Sequence, residues 1–170
     1  REAGTRVISL DPNVRPRVVG DLGAYRERFE RLLTQATIVK ASDEDIELLY
    51  PSKDMATAAK DWLTKGPELV IITRGAKGPL AAFKDSVVER PSPSIDVVDT
   101  VGAGDTFHAA LLAWFDAKSQ LTLEAISTLT EDQVTAALDF ASTAAAIVCT
   151  KRGANPPSWD EVMRFKAERP

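Results

Sequence analysis

The run Val98-Asp99-Thr100-Val101-Gly102-Ala103-Gly104-Asp105-Thr106-Phe107 joins two kinds of sequence. Val97-Val98 before it is a brief extended segment, and an apolar helix is expected after it, from about Asp105 to Asp116. Gly102-Ala103-Gly104 between them is a turn of small residues. A strand end passing through such a turn into a helix is characteristic of an α/β fold. The turn leaves backbone N–H groups uncovered at a helix N-terminus. The helix dipole there, roughly half a positive charge, favours an anion. Asp105 stands in the first turn, beside that position. Amides that hold a phosphoryl group, next to a carboxylate that takes the proton of an attacking hydroxyl, suit phosphoryl transfer. The plainer reading makes Asp105 a helix-start residue, where Asp is common, and the glycines a means of turning. The run is not a Walker loop, which needs G-x-x-x-x-G-K-[ST]. It is not a dinucleotide fingerprint either, because Phe107 holds the third glycine position.

Working outward, the elements alternate. Arg6 to Leu10 reads as a short strand and Asp21 to Gln35 as an amphipathic helix, with Leu22, Tyr25, Phe29, Leu32 and Leu33 at helical spacing. Thr37 to Val39 reads as a short buried strand. Ser42 opens a helix, and a second one covers about Asp54 to Thr64. Leu69 to Thr73 is a continuous apolar strand, a pattern of burial on both faces. Leu80 to Phe83 and Ser86 to Glu89 are strands joined by Lys84-Asp85. Leu121 to Leu129 is a short helix and turn, Glu131 to Cys149 a long Ala-rich helix capped by Thr130, and Trp159 to Ala167 a final helix. The alternation predicts an α/β fold with a mostly parallel sheet. No internal repeat, low-complexity tract or linker divides the chain, so residues 1–170 are read as one unit.

Composition narrows the chemistry. The 170 residues carry 25 acidic and 21 basic side chains, a net charge of −4. This argues against a general nucleic-acid or membrane-surface binder, which carries a basic stripe. One Cys and one His exclude an internal disulfide framework, a Cys/His zinc cluster and a two-His metalloprotease helix. A general base is then expected to be a carboxylate, unless His108 supplies it. His108 is read as packing, since no G-x-S-x-G elbow supports a serine hydrolase, and Cys149 as a small buried residue. No apolar run approaches the ~20 residues of a spanning helix, and the start lacks a leader pattern. The chain is therefore read as cytoplasmic. It opens without Met and with strand-like residues from Thr5 onward, as a cut through a larger protein would.

Two further segments follow strands, where open α/β sheets bind ligands. In Thr73-Arg74-Gly75-Ala76-Lys77-Gly78, small residues let a nucleotide approach the backbone; the alternative is a glycine-rich hairpin turn. In Asp11-Pro12-Asn13-Val14-Arg15-Pro16, the Arg15 fork suits a phosphate or sugar substituent; otherwise it is an ordinary surface residue. Ser42 and Asp45 fit a capping box. Asp45 is also a carboxylate suited to a hydrated Mg²⁺.

Together these segments resemble the ribokinase-like, or PfkB-type, carbohydrate kinase family. Asp99 to Phe107 matches its C-terminal signature. The other segments follow in the family's order: Asp11 to Arg15, Lys40 to Asp45, Thr73 to Gly78, and Thr150-Lys151-Arg152-Gly153-Ala154. The Asp-Pro-Asn-Val-Arg-Pro opening is similar to the fructokinase and 2-keto-3-deoxygluconate kinase branch. The resemblance implies a three-layer α/β/α fold, of which this chain is the C-terminal portion, without the sugar-binding part and the lid. It implies Asp105 as the catalytic base, Gly102, Ala103 and Gly104 as the anion hole, and Arg15 at the phosphate or substrate. Ser42, Thr73 to Gly78 and Ser142 fall where the family meets the nucleotide, Ser142 where Asn or His is frequent. Asp45 falls where a Glu lies near Mg²⁺. Asp99, with the carbonyls of Val101, Val148, Lys151 and Gly153, matches a site for a monovalent cation such as K⁺.

The implied ligands are ATP, Mg²⁺ and a small-molecule sugar, fructose-like or keto, with no nucleic acid or membrane partner. A homodimer of the full-length protein stays open. So do three alternatives: a ribose or nucleoside kinase, a non-catalytic nucleotide-binding relative, and an unrelated α/β interaction domain.

Overall fold

Three parallel strands and an antiparallel hairpin make one sheet in the computed structural model, which describes residues 6–168. The strands are β1 (Ser9–Leu10), β2 (Ile38–Ser42), β3 (Leu69–Thr73), β4 (Leu80–Phe83) and β5 (Ser86–Glu89), in that spatial order. β1–β2 and β2–β3 are parallel, whereas β3–β4 and β4–β5 are antiparallel. The sheet is thus mixed, with its parallel part confined to β1–β3. The reason is connection length. Parallel neighbours need a crossover of about a dozen residues or more, and the short segments after β3 and β4 allow only a reversal.

The crossovers carry the helices α1 (Pro16–Val19), α2 (Leu22–Leu33), α3 (Asp43–Leu49) and α4 (Met55–Leu63). Asp21 caps α2 through the amides of Gly23 and Ala24, and Asp54 caps α4 through Thr57. Apolar residues of these helices, among them Phe29, Leu33 and Trp62, form one buried cluster with Val39, Ala41, Val70, Ile72 and Ala82. Phe29 meets Trp62 edge to face at 4.9 Å between centroids. The intervening strand residues Ile38, Ile71 and Ala81 are buried as well, as the continuous apolar run at Leu69 predicts. α6 (Leu123–Ser127) completes this unit, which comprises residues 6–74, Leu80–Glu89 and Leu121–Leu129.

A second compact unit contains Gly75–Pro79, Arg90–Gln120 and residues 130–168. It holds α5 (Ala103–Ala117), α7 (Glu131–Cys149) and α8 (Trp159–Ala167). α7 presents a buried stripe of Ala137, Ala141, Ala144 and Val148, and packs against α5. Arg90 donates to both carboxylate oxygens of Asp139, which fastens the segment after β5 to α7. Trp159 of α8 lies on Phe140 of α7, 4.3 Å between centroids.

Several expected boundaries move. Arg6 to Leu10 contracts to Ser9–Leu10; at Ile8 the amide bonds the Thr37 hydroxyl, while the carbonyl accepts the Thr37 and Ile38 amides. Thr5 lies outside the described residues. β2 runs on through Lys40 to Ser42, beyond the expected end at Val39. Val97-Val98 is not a strand; the amides of Val98 and Asp99 bond the Cys149 carbonyl at the end of α7. α5 begins at Ala103, two residues early, and α1 is a short helix to which the sequence assigns no element.

Candidate active site

In the first unit, the C-terminal ends of the three parallel strands carry three expected segments. Leu10 of β1 lies opposite Val39, and Ser42 of β2 opposite Thr73 of β3. Asp11–Arg15, Ser42–Asp45 and Thr73–Arg74 therefore leave the sheet side by side. Ser42 and Asp45 form the expected capping box: the Ser42 hydroxyl accepts the Asp45 amide, and Asp45 Oδ2 accepts the Ser42 amide at 2.8 Å. Asp45 Oδ2 also accepts the Ser42 hydroxyl, and its Oδ1 accepts the Val14 amide at 2.7 Å. At 3% exposure, Asp45 thus binds α3 to the loop after β1. Arg15 is exposed, and its guanidinium donates to the Val14 carbonyl at 3.2 Å. The Thr73 hydroxyl donates to the Ala41 carbonyl, and Arg74 pairs with Glu89 at 2.7 Å.

The second unit holds the turn before α5. Gly102 caps the helix in the left-handed region, φ +80°, and a Cβ there would lie 2.8 Å from the Ala154 Cβ. Glycine is therefore required both for the dihedral and for the approach. No side chain caps α5; the Ala103 amide bonds the Thr100 carbonyl and the Thr106 amide bonds Gly102. Among the described residues, no side chain caps the Gly104 and Asp105 amides in this first turn. Asp105, third residue of the helix, is exposed. Position and chemistry here fit an anion with a proton acceptor beside it.

Asp99 organises the residues expected around a cation. Its Oδ2 accepts the Gly153 amide at 2.9 Å and its Oδ1 the Val101 amide at 3.1 Å. Those two bonds hold its carboxyl below the usual carboxylate range. The Val148 carbonyl accepts the Lys151 amide at 3.1 Å, closing α7. Asp99, Val101, Val148, Lys151 and Gly153 are thereby drawn to one end of α7. Cys149 is partly exposed, and burial, then the Asp99 charge, raises its thiol above the usual value. His108 is half-buried on α5.

Gly75–Lys77 forms a single 3₁₀ turn, with Ala76 and Lys77 exposed. Gly78, at φ +79°, packs so tightly that a Cβ would fall 2.0 Å from the Arg90 carbonyl oxygen. The segment serves as the reversal between antiparallel β3 and β4. Ser142 is 4% exposed within α7, and its hydroxyl has no partner among the described residues. No group of three or more His, Cys, Asp or Glu suited to a metal occurs among the described residues. None of the described helices is long and apolar enough to cross a membrane.

Residue-type reasoning missed Lys40 and Tyr25. Lys40 is buried and pairs with Asp11 at 2.9 Å, and the Tyr25 hydroxyl donates to the Pro12 carbonyl. A buried lysine inside an apolar strand run was the available signal.

The family profile described as pfkB family carbohydrate kinase matches residues 1–161, and the chain belongs to that family. Its fold is the ribokinase-like α/β fold. Among relatives, a fructokinase of Rhizobium leguminosarum bv. trifolii is 44% identical over 131 residues, covering 77% of this chain and 40% of that protein. Among solved structures, a fructokinase with bound ATP from Xylella fastidiosa aligns with TM-score 0.88 at 26% identity, over 99% of this chain and 54% of that one. Aminoimidazole riboside kinase from Salmonella enterica, complexed with aminoimidazole riboside and an ATP analog, aligns with TM-score 0.77 at 26% identity, over 95% and 52%. The chain spans about half the length of the curated relatives it matches.

Proposed function

We propose that this chain supplies the nucleotide-binding and base-bearing part of an ATP-dependent kinase that phosphorylates a sugar hydroxyl. The observation that carries this reading is the uncapped start of α5, with left-handed Gly102 before it and exposed Asp105 in its first turn. Asp105 accepts the proton of the attacking hydroxyl. The amide of Gly104 and the helix dipole stabilise charge on the moving phosphoryl group. The expected contribution of the Ala103 amide is corrected, since that N–H is bonded to the Thr100 carbonyl. Arg15 offers its planar fork to a phosphate or to the substrate. The Thr73–Gly78 segment and Ser42 serve the nucleotide, and the unpartnered Ser142 hydroxyl serves its base.

Mg²⁺ neutralises charge on the nucleotide phosphates when bound. Asp45 already accepts three donors, which leaves about one lone-pair position for a metal-bound water. The residues drawn together by Asp99 offer carbonyls for a monovalent cation such as K⁺. A fructose-like hexose or keto-sugar is the favoured acceptor, supported by the 44% identity to a fructokinase. A ribose or nucleoside acceptor is the second reading, favoured by the likeness to aminoimidazole riboside kinase. The 170 residues alone are expected to be inactive, and the intact protein to act in the cytoplasm.

The test is an ADP-release screen of the intact protein across sugars and nucleosides. Turnover of a keto-sugar supports the first reading, and turnover of a riboside the second. Asp105→Asn is expected to lower kcat by a factor on the order of 10² or more; unchanged turnover sinks its role as base. Calorimetric binding of Mg-ATP without turnover of any acceptor identifies a non-catalytic relative instead.

A further inference from the structure

Lys40 lies in the middle of β2 with its side chain 6% exposed. An ammonium in such a place is costly unless it is paired. Its partner is Asp11 Oδ2 at 2.9 Å, on a side chain 15% exposed. The sheet register makes the pair: Leu10 lies opposite Val39, so the next residues on the two parallel strands, Asp11 and Lys40, are lateral neighbours. The other Asp11 oxygen accepts the Asn13 amide at 3.1 Å. Asn13 sits in the left-handed region at φ +43°, a conformation that Asn tolerates when its turn is tied down. From α2, the Tyr25 hydroxyl holds the Pro12 carbonyl, and from α3, Asp45 holds the Val14 amide. Residues 11–14 are therefore fixed from β2, α2 and α3. Arg15, next in the chain, is exposed and bonded to the carbonyl of its own neighbour.

Stability alone does not call for this arrangement, since apolar residues of similar volume often replace a buried ion pair at no loss. What the pair provides is a fixed loop geometry, and the loop ends at Arg15. We propose that Lys40 and Asp11 are a positioning pair: their ion pair sets the Asp11–Val14 loop, and with it the point from which the Arg15 guanidinium reaches its anionic ligand. The proposal rests on the role given to Arg15 above. Lys40 acts through Arg15 and touches no substrate.

Two variants of the intact protein test it: Lys40→Met, and Lys40→Met combined with Asp11→Leu, which removes both charges so that none is left buried alone. Each is expected to lower kcat/KM by about 10- to 100-fold, the scale of a misplaced positioning group, with the melting temperature of the double variant near that of the wild type. In an Arg15→Ala background, Lys40→Met should cost less than about twofold more, because the residues act as one unit. A full multiplicative loss in that background overturns the proposal, and so does unchanged kcat/KM in the double variant. A wild type that phosphorylates no acceptor refutes the kinase reading itself. The pair is then judged by amide hydrogen exchange. The Val14 amide, whose own acceptor Asp45 is untouched, should exchange about tenfold or more faster in Lys40→Met and in the double variant while β3 amides keep their protection; equal protection at Val14 overturns the positioning role.

Discussion

The carboxylate of Asp99 accepts the backbone amide of Gly153 at 2.9 Å, across 54 positions of sequence. With the second bond, from Val101, it ties the segment before α5 to the loop after α7. Both are bonds to the ionised form, and they lower the folded-state pKa of Asp99. A group with a depressed folded pKa stabilises the fold above its unfolded value, about 3.9 for Asp, and loses that contribution as pH falls through the folded value. The wild type should therefore melt higher than Asp99→Ala at neutral pH. The gap should hold down to about pH 4 and close below it. Thermal unfolding of both proteins against pH measures this; a gap that instead opens on acidification contradicts the assignment.

Gly102 carries two constraints that a methyl group would violate separately. Its φ of +80° costs a non-glycine residue about 1–2 kcal/mol, and a Cβ would stand 2.8 Å from the Ala154 Cβ. Gly102→Ala is expected to lose about 2–3 kcal/mol in urea unfolding. Adding Ala154→Gly should recover the contact part and leave the dihedral part. Full recovery would mean that the left-handed start of α5 is not needed.

Much of the fold was legible because apolar periodicity reports burial directly. Leu69 to Thr73, the β4–β5 hairpin and the long α7 appear at their expected residues. The apolar pattern of β2 ends at Val39, before the charged Lys40. The structure carries β2 past it by pairing Lys40 with Asp11, a relation set by the register of two strands far apart in sequence. The Tyr25–Pro12 contact was hidden for the same reason, since a hydroxyl in an amphipathic helix does not declare its partner. At the turn before α5 the glycines were legible from spacing alone. That Ala154, far along the chain, leaves no room for a side chain at Gly102 is a tertiary relation that spacing does not carry. Antiparallel pairing of β3 and β4 follows from the short Thr73–Gly78 connection, for which the sequence leaves both a glycine-rich hairpin turn and a ligand loop open.

Asp45 joins the start of α3 to the loop after β1, so its loss has two parts. The capping box with Ser42 is worth about 1 kcal/mol. The Val14 amide, on a residue 3% exposed, would be left without an acceptor at a cost of about 1–3 kcal/mol. Asp45→Ala should lower stability by about 2–4 kcal/mol. Ser42→Ala, which leaves the Val14 bond in place, should cost about 1 kcal/mol. Equal losses in the two variants, measured by urea unfolding, would show that the bond to Val14 contributes nothing.

Ser142 separates stability from ligand binding. Its hydroxyl is buried inside α7 and has no partner among the described residues, a state that penalises a polar group in the absence of ligand. Alanine also has the higher helix propensity. Ser142→Ala should therefore raise stability, by about 0.5–1.5 kcal/mol. If the hydroxyl is kept for the base of the nucleotide, the same change should weaken ATP binding by about 5- to 10-fold, the worth of one hydrogen bond. Thermal unfolding and calorimetry on a single variant then move in opposite directions. Greater stability with unchanged ATP affinity would remove Ser142 from the nucleotide site and leave it a flaw in the packing of α7.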